Sequence, residues 1–242
     1  MPELVDEFRH APAAHPLWAE AWHFEVVAPD LSCGLYARLT LCPNLGHAWW
    51  WTVLVRAGAP MLLVRDQHLD VPRGFEVRGD GLWADLTCHD ALQRWQVNFE
   101  GIAVALDDPG DAYGYERGDR VPVEFEFDWD ATASPFALDD GYGQHCTVNG
   151  DADIVGSYAL CIEGAAGYRQ HTWGVVDYWS GAWASCEGEP IGDRSVEPKL
   201  EGGLLVDAPD GRTKPLRRAL STVAGKPAWA EWNPAPGAIR DR

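Results

Sequence analysis

The chain has 242 residues, with 19 Lys and Arg against 37 Asp and Glu, which gives a formal net charge of −18 and an isoelectric point near 4.6. This charge excludes nucleic acid as the default partner, because a nucleic-acid reader needs a basic surface that neutralises phosphates. An anionic membrane surface is disfavoured for the same reason.

The composition is that of a globular protein, with 46% hydrophobic and 23% charged residues. The longest apolar runs, residues 48–51 and 61–64, are far shorter than the roughly 20 residues that cross a bilayer, so no membrane span is predicted. The first twenty residues carry Glu3, Asp6 and Glu7 in place of the basic and apolar regions of a secretory leader. This pattern favours a cytoplasmic location.

Alternation with a period of two dominates the chain and predicts half-buried strands. The clearest case is residues 121–129, where every odd position is apolar and the even positions are Pro or acidic. Short helical candidates lie at residues 2–10 and 214–223. In chain order, strands are predicted over residues 22–28, 35–41, 48–56, 61–65, 75–78, 82–87, 94–99, 102–106, 121–129, 144–148, 155–162, 179–186 and 203–207.

The spacing of these strands predicts an all-β fold. Turn residues recur about every ten positions, as at Asp80-Gly81 and Asn149-Gly150, which is typical of an antiparallel sandwich or barrel. A change of composition after the strand at 121–129 places a domain boundary there, with residues 108–119 as the competing position. Two β units are therefore predicted, residues 1–133 and residues 134–242.

Motifs for metals and organic cofactors are missing from the sequence. It contains no H-E-x-x-H, no H-x-H and no cysteine pair with zinc spacing, so no metal site is predicted. It also lacks G-x-G-x-x-G, a P-loop and a G-x-S-x-G nucleophile elbow. The six cysteines are scattered, which favours reduced thiols.

One dense segment, residues 167–179, combines titratable and aromatic side chains. If it is extended, Arg169, His171 and Trp173 share one face, so that an imidazole lies beside an aromatic wall. After Gly174 the face can switch, and Asp177 could return to His171 to hold its tautomer or supply a proton. The alternatives are a packed structural histidine and an aspartate that accepts hydrogen bonds in a turn.

The run His171-Thr172-Trp173-Gly174 followed by Asp177 resembles the H-[ST]-W-G-x-x-D signature of the superfamily of hydroxyneurosporene synthase, or carotenoid 1,2-hydratase. Its relatives include tocopherol cyclases and decalin-forming Diels–Alder cyclases. The resemblance implies two packed lipocalin-like antiparallel β barrels or sandwiches with a pocket for an apolar polyene or isoprenoid. It also implies catalysis with no metal or organic cofactor, by protonation of an alkene or by folding of a polyene.

The chain departs from that family pattern at several positions. Gln170 and Val176 stand where an acid and a base are expected, which implies an altered ion pair. Upstream, Gln144-His145 replaces a Glu-Gln pair, so His145 becomes a second candidate acid or base. The alternative for His145 is an ordinary position on a surface strand.

Further residues are candidates for binding an apolar substrate. Aromatic faces could stabilise positive charge by cation–π attraction, and hydrogen-bond donors could orient a polarised carbonyl. A buried carboxyl in the opening strand could act as an acid. The alternatives are core packing for the tryptophan run and an outward, solvated position for Glu25. The candidates are Trp173, Tyr178, Trp179, Trp49, Trp51, Arg169, Gln144 and Glu25.

Three functions fit these observations. The first is a cofactor-independent cyclase, isomerase or hydratase of a polyene or terpenoid, for which Asp177→Asn should abolish turnover. The second is a lipocalin-like carrier of a hydrophobic small molecule, and the third is a Diels–Alder type pericyclase that works by preorganising its substrate. A β scaffold without a pocket is the structural alternative. Exposed sheet edges would allow a homodimer.

Overall fold

The computed structural model describes residues 2–16, 18–30, 32–56, 58–107, 116–157 and 159–175, and the backbone of two further strands at 203–207 and 213–217. The prediction of an all-β fold is confirmed, because these residues form thirteen strands and two 3₁₀ turns, Leu4–Glu7 and Pro43–Leu45. Within them, no helix has the length and apolar character needed to cross a membrane.

The strands lie close to the predicted positions but are generally longer. Their bounds are β1 Trp18–Val27, β2 Cys33–Cys42, β3 His47–Arg56, β4 Leu62–Leu69, β5 Glu76–Gly79, β6 Leu82–Asp90, β7 Arg94–Leu106, β8 Gly118–Ala131, β9 Phe136–Leu138, β10 Gly141–Ile154, β11 Leu160–Val175, β12 Gly203–Asp207 and β13 Thr213–Arg217.

Eleven strands form one antiparallel sheet, in the order β4-β3-β2-β1-β11-β10-β8-β7-β6-β5, with β9 paired to β10. The sheet closes on itself where β4 pairs with the end of β7, through Leu62 opposite Ala105 and Leu63 opposite Val104. Eight strands thus form a ring, and β12 and β13 form a separate hairpin. The predicted boundary at 133 falls between β8 and β9, and the division into two domains stays a prediction.

The interior of the ring is a continuous aromatic and aliphatic core, filled by every second residue of the strands. In β8, Phe125, Phe127 and Trp129 point inward and are buried, whereas Glu124 and Glu126 are exposed. Strands β1 and β2 differ, because all their residues are buried and both of their faces are covered. Alternating polarity therefore identifies the inner face of β8 but does not reveal that β1 is buried on both sides.

Several sequence expectations are wrong in detail. Residues 149–150, predicted as a turn, lie inside β10, where the register shifts between Val148 and Gly150. Gly150 has φ 155°, and a Cβ there would collide with the backbone of β8, so the glycine allows a bulge. The two strands expected within 94–106 are one continuous strand, β7.

The helical expectations also need correction. Only residues 4–7 of the N-terminal candidate form a helical turn, and it is of the 3₁₀ type. Residues 214–217 of the second candidate belong to strand β13. Residues 155–157 form a turn, and β11 begins at Leu160. The strand predicted at 179–186 lies outside the described residues.

The packing of β11 against the core gives a test of the fold. Trp129 donates from its indole to the carbonyl of Glu25 at 3.2 Å, and its ring crosses β11 at Gly167. A Cβ at Gly167 would collide with Val148, so we expect Gly167→Ala to lower the free energy of unfolding by about 1–3 kcal/mol. Urea denaturation measures this loss. Gly74→Ala, at a position with open space, is the matched control, and an equal effect of both changes would contradict the packing.

Candidate functional site

Polar side chains meet inside one end of the ring, where β1 begins and β11 ends. Cross-strand pairing produces this meeting, because His171 of β11 lies between Trp22 of β1 and Tyr142 of β10. In the next inward row, Arg169 lies opposite Gln144. The N-terminal residues 2–10 cross this end of the ring and contribute the remaining side chains.

Glu7 from this segment is inserted into the ring and is fully buried. Arg169 donates to both of its carboxylate oxygens, at 2.7 and 3.0 Å. The Tyr142 hydroxyl donates at 2.7 Å and the Trp95 indole at 2.8 Å, and the backbone N–H of Leu92 also donates. These donors belong to β11, β10, β7 and the turn before β7, and together they form a binding site for one carboxylate.

The Arg169 guanidinium is fixed by a second set of bonds. It donates to Oε1 of Gln144, whose amide nitrogen donates to the carbonyls of Leu92 and Ala133, each at 2.9 Å. Burial raises the pKa of Glu7, but its bonds with Arg169 and Tyr142 outweigh this effect and hold that pKa below its usual value. Glu7 and Arg169 are therefore a charged pair.

A second cluster adjoins this pair and is centred on His171. Its Nδ1 donates to the backbone carbonyl of Asp6 at 2.6 Å, and its Nε2 lies 3.0 Å from Oε1 of Glu20. The same Glu20 oxygen accepts from Nδ1 of His10 at 2.8 Å. His171 and Glu20 are buried, whereas the His10 side chain is 23% exposed. The cluster thus runs from solvent into the interior.

The partners of His171 determine where its protons lie. A carbonyl oxygen cannot donate, so Nδ1 carries a hydrogen. The Nε2 atom faces a carboxylate oxygen of Glu20 at hydrogen-bond distance, and a hydrogen bond there requires a second hydrogen on the ring. Burial lowers the pKa of His171, while Glu20 opposes that effect. His171 and Glu20 thus form a hydrogen-bonded pair that is closed to water.

Aromatic rings surround the His171 imidazole. Trp22 stacks on the His171 ring at a centroid distance of 4.3 Å, and Tyr142 presents its edge at 5.9 Å. Trp173 stacks on His10 at 3.9 Å and lies 4.9 Å from His171. The imidazole is thus enclosed by aromatic rings.

Among the described residues, His10, Glu20 and His171 form the group whose ligand atoms could hold a metal ion, since these atoms lie within 4.8 Å of one another. A cation there would take the place of the protons in the hydrogen bonds. Metal addition and chelation are therefore controls for any activity measured at this site.

The predicted site residues divide into three sets. Arg169, His171, Trp173 and Gln144 come together inside the ring, and the prediction that the first three share one face is confirmed. Glu25, Trp49 and Trp51 lie on the outer face of β1 and β3. The remaining set, Asp177, Tyr178 and Trp179, lies outside the described residues.

Glu25 and His145 belong to the outer side of the sheet. The alternative for Glu25 was an outward, solvated position. Its side chain does point outward, but it is buried, and its Oε2 lies 3.0 Å from Nε2 of His23. His145 is exposed and lies beside the rings of Phe136 and Tyr168, with centroids 5.6 and 5.9 Å away. In the described residues neither side chain contacts the His171 cluster.

Sequence reasoning missed Glu7, His10, Glu20 and Tyr142 as site residues. Glu7 and His10 belong to a segment far from the motif in sequence, and no local pattern connects them to it. The available signal is Glu20, an acidic residue at an inward position of an apolar strand, two places before Trp22. A carboxylate at such a position requires a partner inside the ring.

The fold and this cluster define an all-β protein whose closed antiparallel sheet encloses a polar site at one end. The chain belongs to the family described as a domain of unknown function, DUF7064, whose pattern matches residues 3–189. No curated protein matches the chain.

Two solved structures show a distant likeness to the chain, namely the crystal structures of CghA with and without Sch210972. Each has a TM-score of 0.39 and 10% sequence identity, and each alignment covers 68% of this chain. It covers 47% of the CghA chain with Sch210972 and 48% of the one without it. The chain therefore spans about half the length of these proteins.

The charged pair gives a prediction about stability. Removing one partner of a buried pair leaves an uncompensated charge, so we expect Glu7→Gln to lower the free energy of unfolding by about 3 kcal/mol at pH 7. Because the folded-state pKa of Glu7 lies below its ordinary 4.5, its contribution is present above that pH and is lost as the pH falls further.

Urea denaturation between pH 7 and pH 3 measures this effect. The wild type should lose more stability over this range than Glu7→Gln, so that the two curves converge. The exposed Glu124→Gln is the matched control and should follow the wild type. A difference between wild type and Glu7→Gln that stays constant over the range would contradict the charged pair.

Proposed function

We propose that the chain is a cofactor-independent enzyme that transfers a proton to an apolar, unsaturated substrate of the polyene or terpenoid type. The observation that carries this proposal is the His171 ring, whose Nδ1–H points to the carbonyl oxygen of Asp6 while Nε2 lies 3.0 Å from Oε1 of buried Glu20. This is the arrangement of a general acid with an orienting partner. The proposal includes membership of the hydroxyneurosporene synthase superfamily.

The proposed step begins when the substrate replaces the Asp6 carbonyl at Nδ1 of His171. The Nδ1 proton moves to one carbon of a substrate double bond. The π electrons of that double bond form the new C–H bond. Positive charge then lies on the neighbouring carbon. If this cation loses a proton to Nδ1, the reaction is an isomerisation. If another double bond of the substrate attacks the cation before that loss, the reaction is a cyclisation. If water adds to the cation before that loss, the reaction is a hydration.

Glu20 and His10 support the acid in this scheme. Glu20 forms the hydrogen bond to Nε2 of His171. It favours the positively charged form of the ring, whereas burial disfavours that form. His10, partly exposed, connects the same Glu20 oxygen to solvent and can return protons to it. The order from solvent inward is therefore His10, Glu20, His171.

The surrounding rings suit a cationic intermediate. The ring of Trp22 stacks on His171 and the ring of Trp173 lies tilted beside it, and an aromatic face attracts positive charge by about 0.5–2 kcal/mol. A site closed to water also protects a carbocation from premature capture. Asp177, the second acid expected from the sequence, remains a candidate proton donor within this proposal.

Turnover in D₂O tests the proposal. Candidate polyenes and terpenoids are incubated with the enzyme, and the products are analysed by mass spectrometry for a new structure that carries deuterium. We expect His171→Gln and Glu20→Gln to lower the rate by at least ~100-fold, as for the loss of a general acid. His10→Gln should slow turnover less, because water can replace it at the exposed end.

The controls separate the alternatives. His89→Gln changes an exposed histidine of β6 and should leave turnover unchanged. A compound that copurifies unaltered with wild type and His171→Gln would make the protein a carrier. A new product without deuterium, formed equally by His171→Gln, would indicate a pericyclase. Loss of activity on chelation would assign the cluster to a metal instead.

A further inference from the structure

The site that holds Glu7 is built by ring strands and the turn before β7, while its occupant comes from the N-terminal segment. The donors belong to β11, β10, β7 and the turn before β7, and they converge on both oxygens of one carboxylate. Arg169 is held in place by Gln144 rather than by Glu7 alone. The donors would therefore stay in position if another carboxylate replaced that of Glu7.

The N-terminal segment is attached in a way that allows such a replacement. Leu4 and Val5 are 63% and 66% exposed and so bury little apolar surface. Residues 6 and 7 hold the segment through the Glu7 carboxylate and through backbone carbonyls that accept from His171 and Trp22. Residues 2–7 are thus attached mainly by polar contacts. A ligand that carries the same acceptor groups can replace them.

A second anchor follows directly and is independent of the first. Arg9 donates to the carbonyls of Pro72 and Arg73, and the backbone N–H of His10 donates to Glu20 at 2.9 Å. Phe8 between the two anchors is extended and 47% exposed. Residues 2–7 can therefore leave the ring while His10 stays on Glu20.

We infer that the Arg169 site binds the carboxylate of an apolar carboxylic acid, which takes the place of Glu7. This inference rests on the proposed function and names its substrate class, an unsaturated acid. The carbonyl of Asp6 and the carboxylate of Glu7 belong to neighbouring residues, so the segment already presents a proton acceptor to His171 and a carboxylate to Arg169. Residues 6 and 7 occupy the position of the substrate.

The donor set favours a carboxylate over a phosphate. Among the described residues, the Arg169 guanidinium is the one positive charge in direct contact with Glu7, and Tyr142 and Trp95 supply neutral donors to the same oxygen. Burial raises the pKa of Tyr142, which keeps its hydroxyl protonated as a donor. A planar group with a single negative charge matches this set. The body of the ligand would lie against the Trp22 ring, where the segment now crosses.

Binding of a fluorescent polyene acid tests the inference. cis-Parinaric acid and its methyl ester are titrated into wild type, Glu7→Ala, Glu7→Gln and the double variant Glu7→Gln/Arg169→Met. We expect Glu7→Ala and Glu7→Gln to bind the acid at least tenfold more tightly than the wild type, because the competing carboxylate is gone. The ester should show no such gain, and the double variant should bind the acid no better than the ester.

Hydrogen exchange in the wild type distinguishes a binding site from a purely structural ion pair. Saturation with the acid should raise the exchange of the amides of residues 4–7 while that of His10 stays protected. Circular dichroism shows whether each variant is folded. If Glu7→Ala is unfolded, Glu7→Gln provides the same comparison. Equal affinity for acid and ester in the Glu7 variants, or unchanged exchange at residues 4–7, would overturn the inference. Binding without turnover would leave the inference standing and reject the proposed proton transfer.

Discussion

The ion pair between Glu7 and Arg169 is the constraint on which the organisation of this end of the molecule depends. Both groups are removed from water, and each is stable there only because the other is present with a full set of hydrogen bonds. The pair joins the N-terminal segment to β11 and, through Tyr142 and Trp95, to β10 and β7. One carboxylate therefore determines where the chain crosses the ring.

The position of this segment in turn determines the state of His171. With Glu7 in place, the carbonyl of Asp6 lies at Nδ1, which fixes the tautomer and leaves Nε2 to Glu20. A bond to the second ring nitrogen is the usual means by which a histidine is oriented for proton transfer. Structural support and chemistry are thus coupled, since the N-terminal segment that crosses the end of the ring also holds the acid in its resting state.

Local pattern was sufficient to predict much of the fold and part of the site. Period-two alternation located β8 because one face of that strand meets the core and the other meets water, and it placed Arg169, His171 and Trp173 on one face. The partners of these residues could not be predicted from local sequence. Glu7 and Arg169 are separated by 162 positions, and their contact arises only when the segment crosses the ring.

Other errors have equally specific causes. Asn149-Gly150 has the composition of a turn, yet it forms a bulge inside a strand because the neighbouring β8 approaches closely at Gly150. Glu25 is polar within an apolar strand, which suggested an acid of the site or, as the alternative, a solvated position, but both faces of β1 are covered and the carboxyl pairs with His23 on the outer face. Tertiary contacts override local signals in both cases.

The protonation of His171 is the most direct test of this account. Nitrogen-15 NMR of the histidine side chains, with His171→Gln used for assignment, reports which ring nitrogen carries hydrogen. We expect a protonated Nδ1 throughout the pH range in which the protein is folded, and an Nε2 signal that shifts in Glu20→Gln. A bare Nδ1, with hydrogen only on Nε2 and no response to Glu20→Gln, would contradict the bond to Asp6 and the role of His171 as the acid.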